Sequence, residues 1–187
     1  VFVGGGLDRY VMDITLVDAE NRECHFTYEG RINGMSPNGD IPTEPVNMDT
    51  ELITGYYIPA AYHEYFFTLS DKGYNEYGNP EGGASHYVIS LWGDAGEVDA
   101  DGLMTIPEGK YTFNKEYGQV MYTVYDHYSG YKLYSADGYE IQADVKFDAC
   151  EVDVTADGIV VNAVIGGVEH VVTYNQTPKL PISPTMQ

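Results

Sequence analysis

The chain has 187 residues, and 29 Asp and Glu against 9 Lys and Arg give it a formal net charge of −20. This length fits one large domain or two small ones. A surface so acidic repels phosphate backbones and anionic lipid headgroups, which argues against nucleic acid as a partner. Two interpretations of the acidity remain: it keeps the chain soluble, or it serves cation binding or a cationic partner.

The first predicted element is a β-hairpin that has a counterpart near the other end of the chain. Residues 8–30 and 157–176 each start with an Asp and an alternating apolar strand, then turn through polar or Gly residues. Each returns on a strand that ends in Thr-Tyr, at Tyr28 and Tyr174. Self-similarity of this kind predicts an internal repeat of related β modules.

Between the two hairpins the apolar residues recur mostly at every second position, as in half-buried strands. Residues 31–55 carry three prolines and little periodicity, which predicts a long connection. Residues 177–187 carry three more and predict an extended tail. Strands are predicted at 63–70, 85–92, 110–114, 119–126, 139–146 and 150–155.

Many short strands with Gly, Pro and Asp turns predict an all-β fold, an antiparallel β-sandwich or a barrel-like sheet with related terminal hairpins. The predicted organisation is an N-terminal hairpin with its connection (1–55), a main β module (56–176) and the tail (177–187). A single continuous domain is the alternative.

The two cysteines, Cys24 and Cys150, form neither a metal motif nor a CxxC pair. A disulfide between them and two buried free thiols are both open at this point.

Catalytic motifs are missing from the sequence. His63-Glu64 lacks the second His of a zinc-protease HExxH motif, and no GxSxG nucleophile elbow occurs. A glycosidase needs two carboxylates across a cleft, and a chain with 29 acids offers such pairs by chance. We therefore predict that the protein is not an enzyme. A carbohydrate-active enzyme with a carboxylate pair is an alternative.

One acidic stretch has the spacing of a calcium loop. Glu97, Asp99, Asp101 and Glu108 stand at loop positions 1, 3, 5 and 12, and Gly102 at position 6 permits a sharp turn. Glu at position 1 and the strand-like flanks depart from the pattern. The alternative is a solvated turn between two strands.

Tyrosine makes up 18 of the 187 residues, and five tyrosines recur at every third position through one stretch. Tyrosine combines a large apolar face with a polar end, which suits recognition of sugars or peptides. Tyrosine is also a good strand residue that covers a half-buried sheet. The predicted ligand-binding residues are Tyr122, Tyr125, Tyr128, Tyr131 and Tyr134.

The order of the segments AAYHEYFFTLSDKG, HYVISLW, IPEGKYTF and DVTADGIVVNAVIGGVEHVVTYN resembles a repeat in secreted lipoproteins of Bacteroidetes. The resemblance covers roughly residues 56–176, and residues 8–30 resemble the closing hairpin of a preceding copy. Similar lipoproteins are encoded near outer-membrane nutrient-uptake systems. The resemblance implies export, a lipid anchor on a preceding Cys, and a place at the outer-membrane surface or in the periplasm. It supplies no catalytic residues.

Three functions follow as hypotheses. The first is a non-enzymatic accessory protein that binds a glycan or peptide, or docks on an outer-membrane transporter. The second is the carbohydrate-active enzyme. The third is a structural or adhesive subunit that assembles through unpaired sheet edges.

Overall fold

The computed structural model describes residues 10–17, 21–30, 41–59, 62–116, 118 and 120–183. Regular structure within these ranges consists of β-strands and one short 3-10 turn at Asp126–Tyr128, which confirms the predicted all-β class. No helix in them has the length and apolar character of a membrane span. The strands are β1 (Tyr10–Val17), β2 (Glu23–Gly30), β3 (Val46–Thr50), β4 (Leu52–Ile58), β5 (Glu64–Ser70), β6 (Ser85–Trp92), β7 (Leu103–Thr105), β8 (Gly109–Asn114), β9 (Thr123–Tyr125), β10 (Gly130–Tyr134), β11 (Ile141–Val145), β12 (Ala149–Thr155), β13 (Gly158–Ile165), β14 (Val168–Tyr174) and β15 (Lys179–Pro181).

Eleven strands form one mixed sheet that curls into a half-barrel. Its main path runs β11-β10-β6-β9-β8-β12-β13-β14-β3, with β5 and then β4 attached to the other side of β6. Most neighbours pair antiparallel, as predicted. The pairs β8–β9 and β14–β3 are parallel, so the sheet is mixed rather than purely antiparallel.

Strand β6 is the junction of the sheet, and its predicted bounds of 85–92 are confirmed. β5 pairs along its whole length, from Glu64 opposite Trp92 to Ser70 opposite His86. On the other side β10 pairs with the first half and β9 with the last two residues. Tyr87, Ile89 and Leu91 on one face of β6 belong to the hydrophobic core, and His86, Ser90 and Trp92 on the outward face are also buried.

The segment 46–58 links the two flanks of the sheet. Its first half, β3, pairs with β14, and its second half, β4, pairs with β5. The prediction of an irregular connection over 31–55 is therefore wrong for β3 and for the start of β4. Asn47 and Asp49 are polar and exposed, so β3 shows only a short apolar alternation in the sequence. Residues 31–40 lie outside the described ranges.

Both terminal segments form antiparallel hairpins, but their registers differ. Val17 faces Glu23 at the end of the first, whereas Ile165 faces Val168 across a shorter turn in the second. The first forms a two-stranded sheet of its own, whereas the second is built into the large sheet between β12 and β3. Common descent from a repeat stays a prediction, and residue 8 lies outside the described ranges.

The predicted tail contributes a strand. β15 pairs with β7, and Leu180 within it is only 1% exposed. Ser183 donates its backbone N–H to the Tyr57 carbonyl at 2.8 Å, which fixes the chain along β4. Residues 179–181 therefore belong to the fold. The division into domains stays a prediction, and β4 spans its proposed boundary at 55/56.

The core lies inside the half-barrel, where the alternating apolar residues of the strands meet. Phe67, Ile89 and Val161 are fully buried examples from three different strands. The cysteines are separate free thiols: Cys24 is exposed on the first hairpin, and Cys150 is buried. Burial raises the pKa of Cys150 to about 12, so this thiol stays protonated and unreactive.

Candidate functional site

A row of aromatic rings crosses the end of β6 on the outward face of the sheet. Adjacent ring centroids lie 5.0 Å apart for Tyr62–Trp92, 4.2 Å for Trp92–Tyr125, 5.5 Å for Tyr125–Tyr128 and 4.9 Å for Tyr128–His127. Trp92 and Tyr125 are stacked and buried, whereas Tyr128 is 53% exposed. We call these five residues the ring row. Its middle is buried, and its ends, at Tyr62 and at Tyr128 with His127, are half-buried and exposed.

A carboxylate lies beside the ring row. Glu64 is directly opposite Trp92 in the β5–β6 register and is only 8% exposed. Its Oε1 accepts a hydrogen bond from Ser90 Oγ at 2.7 Å. The Trp92 Nε1–H is also buried and has no hydrogen-bond partner among the described residues. The site thus combines ring faces, a largely buried acceptor and an unpaired donor.

A strained turn at His63 positions Tyr62 and Glu64 in the site. His63 between them has φ of 41°, a left-handed conformation that is rare for a residue with a side chain. Its Nδ1 lies 2.6 Å from the Tyr57 hydroxyl, and the two rings are stacked. These contacts hold the turn, so that Tyr62 packs on Trp92 while Glu64 begins β5. Strain of this kind is often kept at functional sites.

The other end of the ring row is held by a lysine. Lys146 Nζ donates to the backbone carbonyls of Asp126 at 2.9 Å and His127 at 2.5 Å, and reaches the Ser129 carbonyl at 3.3 Å. These carbonyls belong to the 3-10 turn that carries Tyr128 and to the residue after it. Ser129 Oγ in turn accepts the Ser90 backbone N–H at 3.0 Å. The turn is therefore tied to β6.

The five tyrosines predicted as binding residues do not share one surface. Tyr125 and Tyr128 lie in the ring row. Tyr131 is 1% exposed and lies inside the half-barrel, where burial raises its pKa. Tyr134 packs on His86, with ring centroids 4.8 Å apart. Tyr122 donates to Asp94 Oδ2 at 3.0 Å, and this bond raises its pKa.

The predicted calcium loop is a turn tied by Asp99. Its Oδ1 accepts the backbone N–H groups of Asp101 and Leu103, both at 2.9 Å. Its Oδ2 accepts Lys179 Nζ at 2.9 Å, and this bond is the main reason why the pKa of Asp99 is low. An ammonium thus contacts the central carboxylate of the loop. In the described ranges, no three His, Cys, Asp or Glu side chains are grouped to hold a metal ion. Calcium binding stays a prediction.

The lysines neutralise only a small part of the negative charge of the acidic residues. Three of the six contact carboxylates, as Lys110 does with Glu151 at 2.7 Å. The other three donate to backbone carbonyls, as Lys146 does. The full set is Lys72, Lys110, Lys115, Lys132, Lys146 and Lys179. Half of the lysines therefore tie turns instead of balancing the 29 acids.

Sequence reasoning missed four members of the site: Tyr62, Glu64, Trp92 and His127. Trp92, the single tryptophan, ends a predicted strand, and Glu64 belongs to an incomplete zinc-protease motif. The available signal was the strand period of β6, because Trp92 falls on the face opposite to Leu91. Which residues lie beside Trp92 depends on strand pairing between distant segments, and the sequence pattern does not specify that pairing.

Comparison of the chain with protein-family models, with curated proteins and with solved structures gave no match.

Proposed function

We propose that this chain is a non-enzymatic binding protein of the periplasm or outer-membrane surface, and that it holds a glycan on the ring row. The observation that carries the proposal is the ring row beside Glu64. Sugars present apolar C–H faces that stack on aromatic rings and hydroxyls that donate to carboxylates. The place in the cell rests on the resemblance to secreted lipoproteins, as does docking on a transporter.

The exposed members of the ring row support a shallow site for an extended ligand. Tyr128 and His127 are exposed and Tyr62 is half-buried, whereas Trp92 and Tyr125 beneath them are buried. Rigid aromatic side chains with two rotatable bonds lose little entropy on binding. The stacked pair below fixes the outer rings, so the ligand meets a preorganised surface.

A glycan and peptide array, probed with and without calcium, tests the proposal. Ligands that bind are then titrated with the Trp92 fluorescence as the readout, since Trp92 is the single tryptophan and lies in the site. Tyr62→Ala and Tyr128→Ala should each weaken glycan binding about three- to tenfold.

Tyr139→Ala is the matched control, because Tyr139 is 69% exposed and lies in the turn before β11. It should bind as the wild type does. Wild-type affinity in both ring-row variants would refute the site, and binding of peptides alone would refute the glycan. The calcium arm separately tests the loop of Glu97, Asp99, Asp101 and Glu108.

A further inference from the structure

We infer that the ligand group received by the ring row beside Glu64 is positively charged, a primary or methylated ammonium. The inference rests on the proposed function, because it concerns the same site. It adds the chemistry of the recognised group. Three separate features of the structure support it.

The first feature is the incomplete pairing of Glu64. A carboxylate that is 8% exposed has lost most of its hydration, and that loss is offset only by strong partners. Among the described residues, its one hydrogen-bond partner is the neutral Ser90 hydroxyl. Each of the six lysines contacts other groups. The salt bridges and hydrogen bonds of the described residues place no lysine on Glu64, and a cationic ligand group would supply this countercharge.

The second feature is the chemistry of the rings. The face of an aromatic ring attracts a cation, and Trp and Tyr do so most strongly. The ring row brings one Trp and three Tyr together within 4.2–5.5 Å steps next to Glu64. A carboxylate flanked by Trp and Tyr faces is a typical receptor for an ammonium group.

The third feature is the field around the site. The net charge is −20, and half of the lysines are tied to backbone carbonyls. A field of this sign concentrates cations at the surface and speeds their association, and salt weakens it. The same field disfavours anionic ligands, which leaves neutral and cationic groups to compare.

Two sources carry such a group: an amino sugar in a glycan and a lysine side chain in a peptide. Two matched probe pairs separate them. One pair is a glucosamine trimer and its N-acetylated form, which share rings and hydroxyls and differ at the amine. The other is a trilysine peptide and its ε-acetylated form. Each pair is titrated against the wild-type protein by Trp92 fluorescence and by calorimetry.

The glucosamine trimer should bind at least about tenfold more tightly than its acetylated form, and such a preference in the trilysine pair alone would refute an amino sugar as the source. Glu64→Gln keeps an acceptor for Ser90 and removes the charge, so it should abolish that preference. Glu169→Gln, at an exposed position on β14, changes the net charge equally and should preserve it. Raising the salt concentration should weaken the amine forms alone.

Equal affinity of the amine and acetylated forms would overturn the inference, and so would the absence of binding by both amine probes. This comparison uses the wild-type protein, so it decides the matter even where Glu64→Gln fails to fold. If neutral glycans bind and their affinity depends on Tyr62 and Tyr128, the proposed glycan binding stands and the inference of a cationic ligand group is refuted. If ligands bind with the same affinity after either tyrosine is replaced, the proposed function itself is refuted.

Discussion

The tyrosines inside the half-barrel and those of the ring row are the same residue put to different uses. Inside, hydroxyls have fixed partners at several positions: Tyr65 donates to the Asp94 carbonyl at 2.8 Å, and Tyr111 donates to the Pro107 carbonyl at 2.9 Å. Burial raises the pKa of both. In the ring row, Tyr62 and Tyr128 contact other rings and reach solvent. A tyrosine-rich composition therefore indicates neither core nor binding surface until strand pairing is known.

Truncation to alanine should give the largest difference in stability between the tyrosines inside the half-barrel and those of the ring row. Tyr131→Ala removes a ring that is 1% exposed and packed against Tyr87, and should lower the free energy of unfolding by about 3–5 kcal/mol. Tyr128→Ala removes a ring that is 53% exposed and should change it by about 0.5 kcal/mol or less. Urea unfolding followed by circular dichroism measures both. Similar losses of unfolding free energy in the two variants would show that the core and ring-row tyrosines contribute equally to stability.

Removal of a single hydroxyl should test whether the interior partners matter. Tyr87 lies with its hydroxyl 2.8 Å from His170 Nδ1, and both residues are buried. Tyr87→Phe keeps the ring but leaves a buried imidazole nitrogen without its partner, which should cost about 1–3 kcal/mol. The exposed Tyr139→Phe is the control and should be neutral. An unchanged urea midpoint in Tyr87→Phe would mean that the hydrogen bond between Tyr87 and His170 contributes nothing to stability.

The two buried histidines, His86 and His170, should make the stability depend on pH. Burial lowers the pKa of His86 and of His170 below the ordinary value of about 6.5. Below pH 6.5 the unfolded chain therefore binds protons that the folded chain does not, so the free energy of unfolding should fall as the pH falls from 7.5 to 5.5. Denaturant melts across this range measure the slope.

His86→Gln should flatten that slope, because one of the two buried titrating groups is gone. A stability that does not change with pH in the wild type would show that neither buried histidine is held neutral.

Lys146 should matter more for ligand binding than for stability. Lys146→Met removes the ammonium that holds the carbonyls of Asp126 and His127, at an exposed position where the loss should be about 1 kcal/mol. The freed turn carries Tyr128, so ligand binding should weaken severalfold. Lys115→Met breaks a similar bond to the Asp148 carbonyl and is the control. Equal affinity in the two variants would mean that Lys146 does not position the ring row.

The parts of the fold that could be predicted are those in which local sequence decides the structure. β6 was predicted to the residue, because Tyr87, Ile89 and Leu91 alternate with a second buried set. The predicted strand 119–126 shrinks to Thr123–Tyr125 because Tyr122 has φ of 57°, which no strand accommodates. Residue 119 lies outside the described ranges.

The spacing of the five tyrosines was misleading for a related reason. Tyr125 ends β9, Tyr128 lies in the 3-10 turn, and Tyr131 belongs to β10, so a constant step of three crosses three elements, two strands and a 3-10 turn. Each element imposes its own side-chain direction. The site could not be predicted because Glu64, Trp92 and Tyr125 come together only when β6 pairs with β5 and β9.

The parallel pairing of β3 with β14 has a consequence for how the chain folds. Val46 meets His170 across nearly the whole main module, so this flank of the sheet closes only after β14 has been synthesised. Contacts between such distant segments make folding slow, commonly in the range of about milliseconds to seconds. During synthesis, the β3 edge therefore lacks its β14 partner until β14 has emerged from the ribosome.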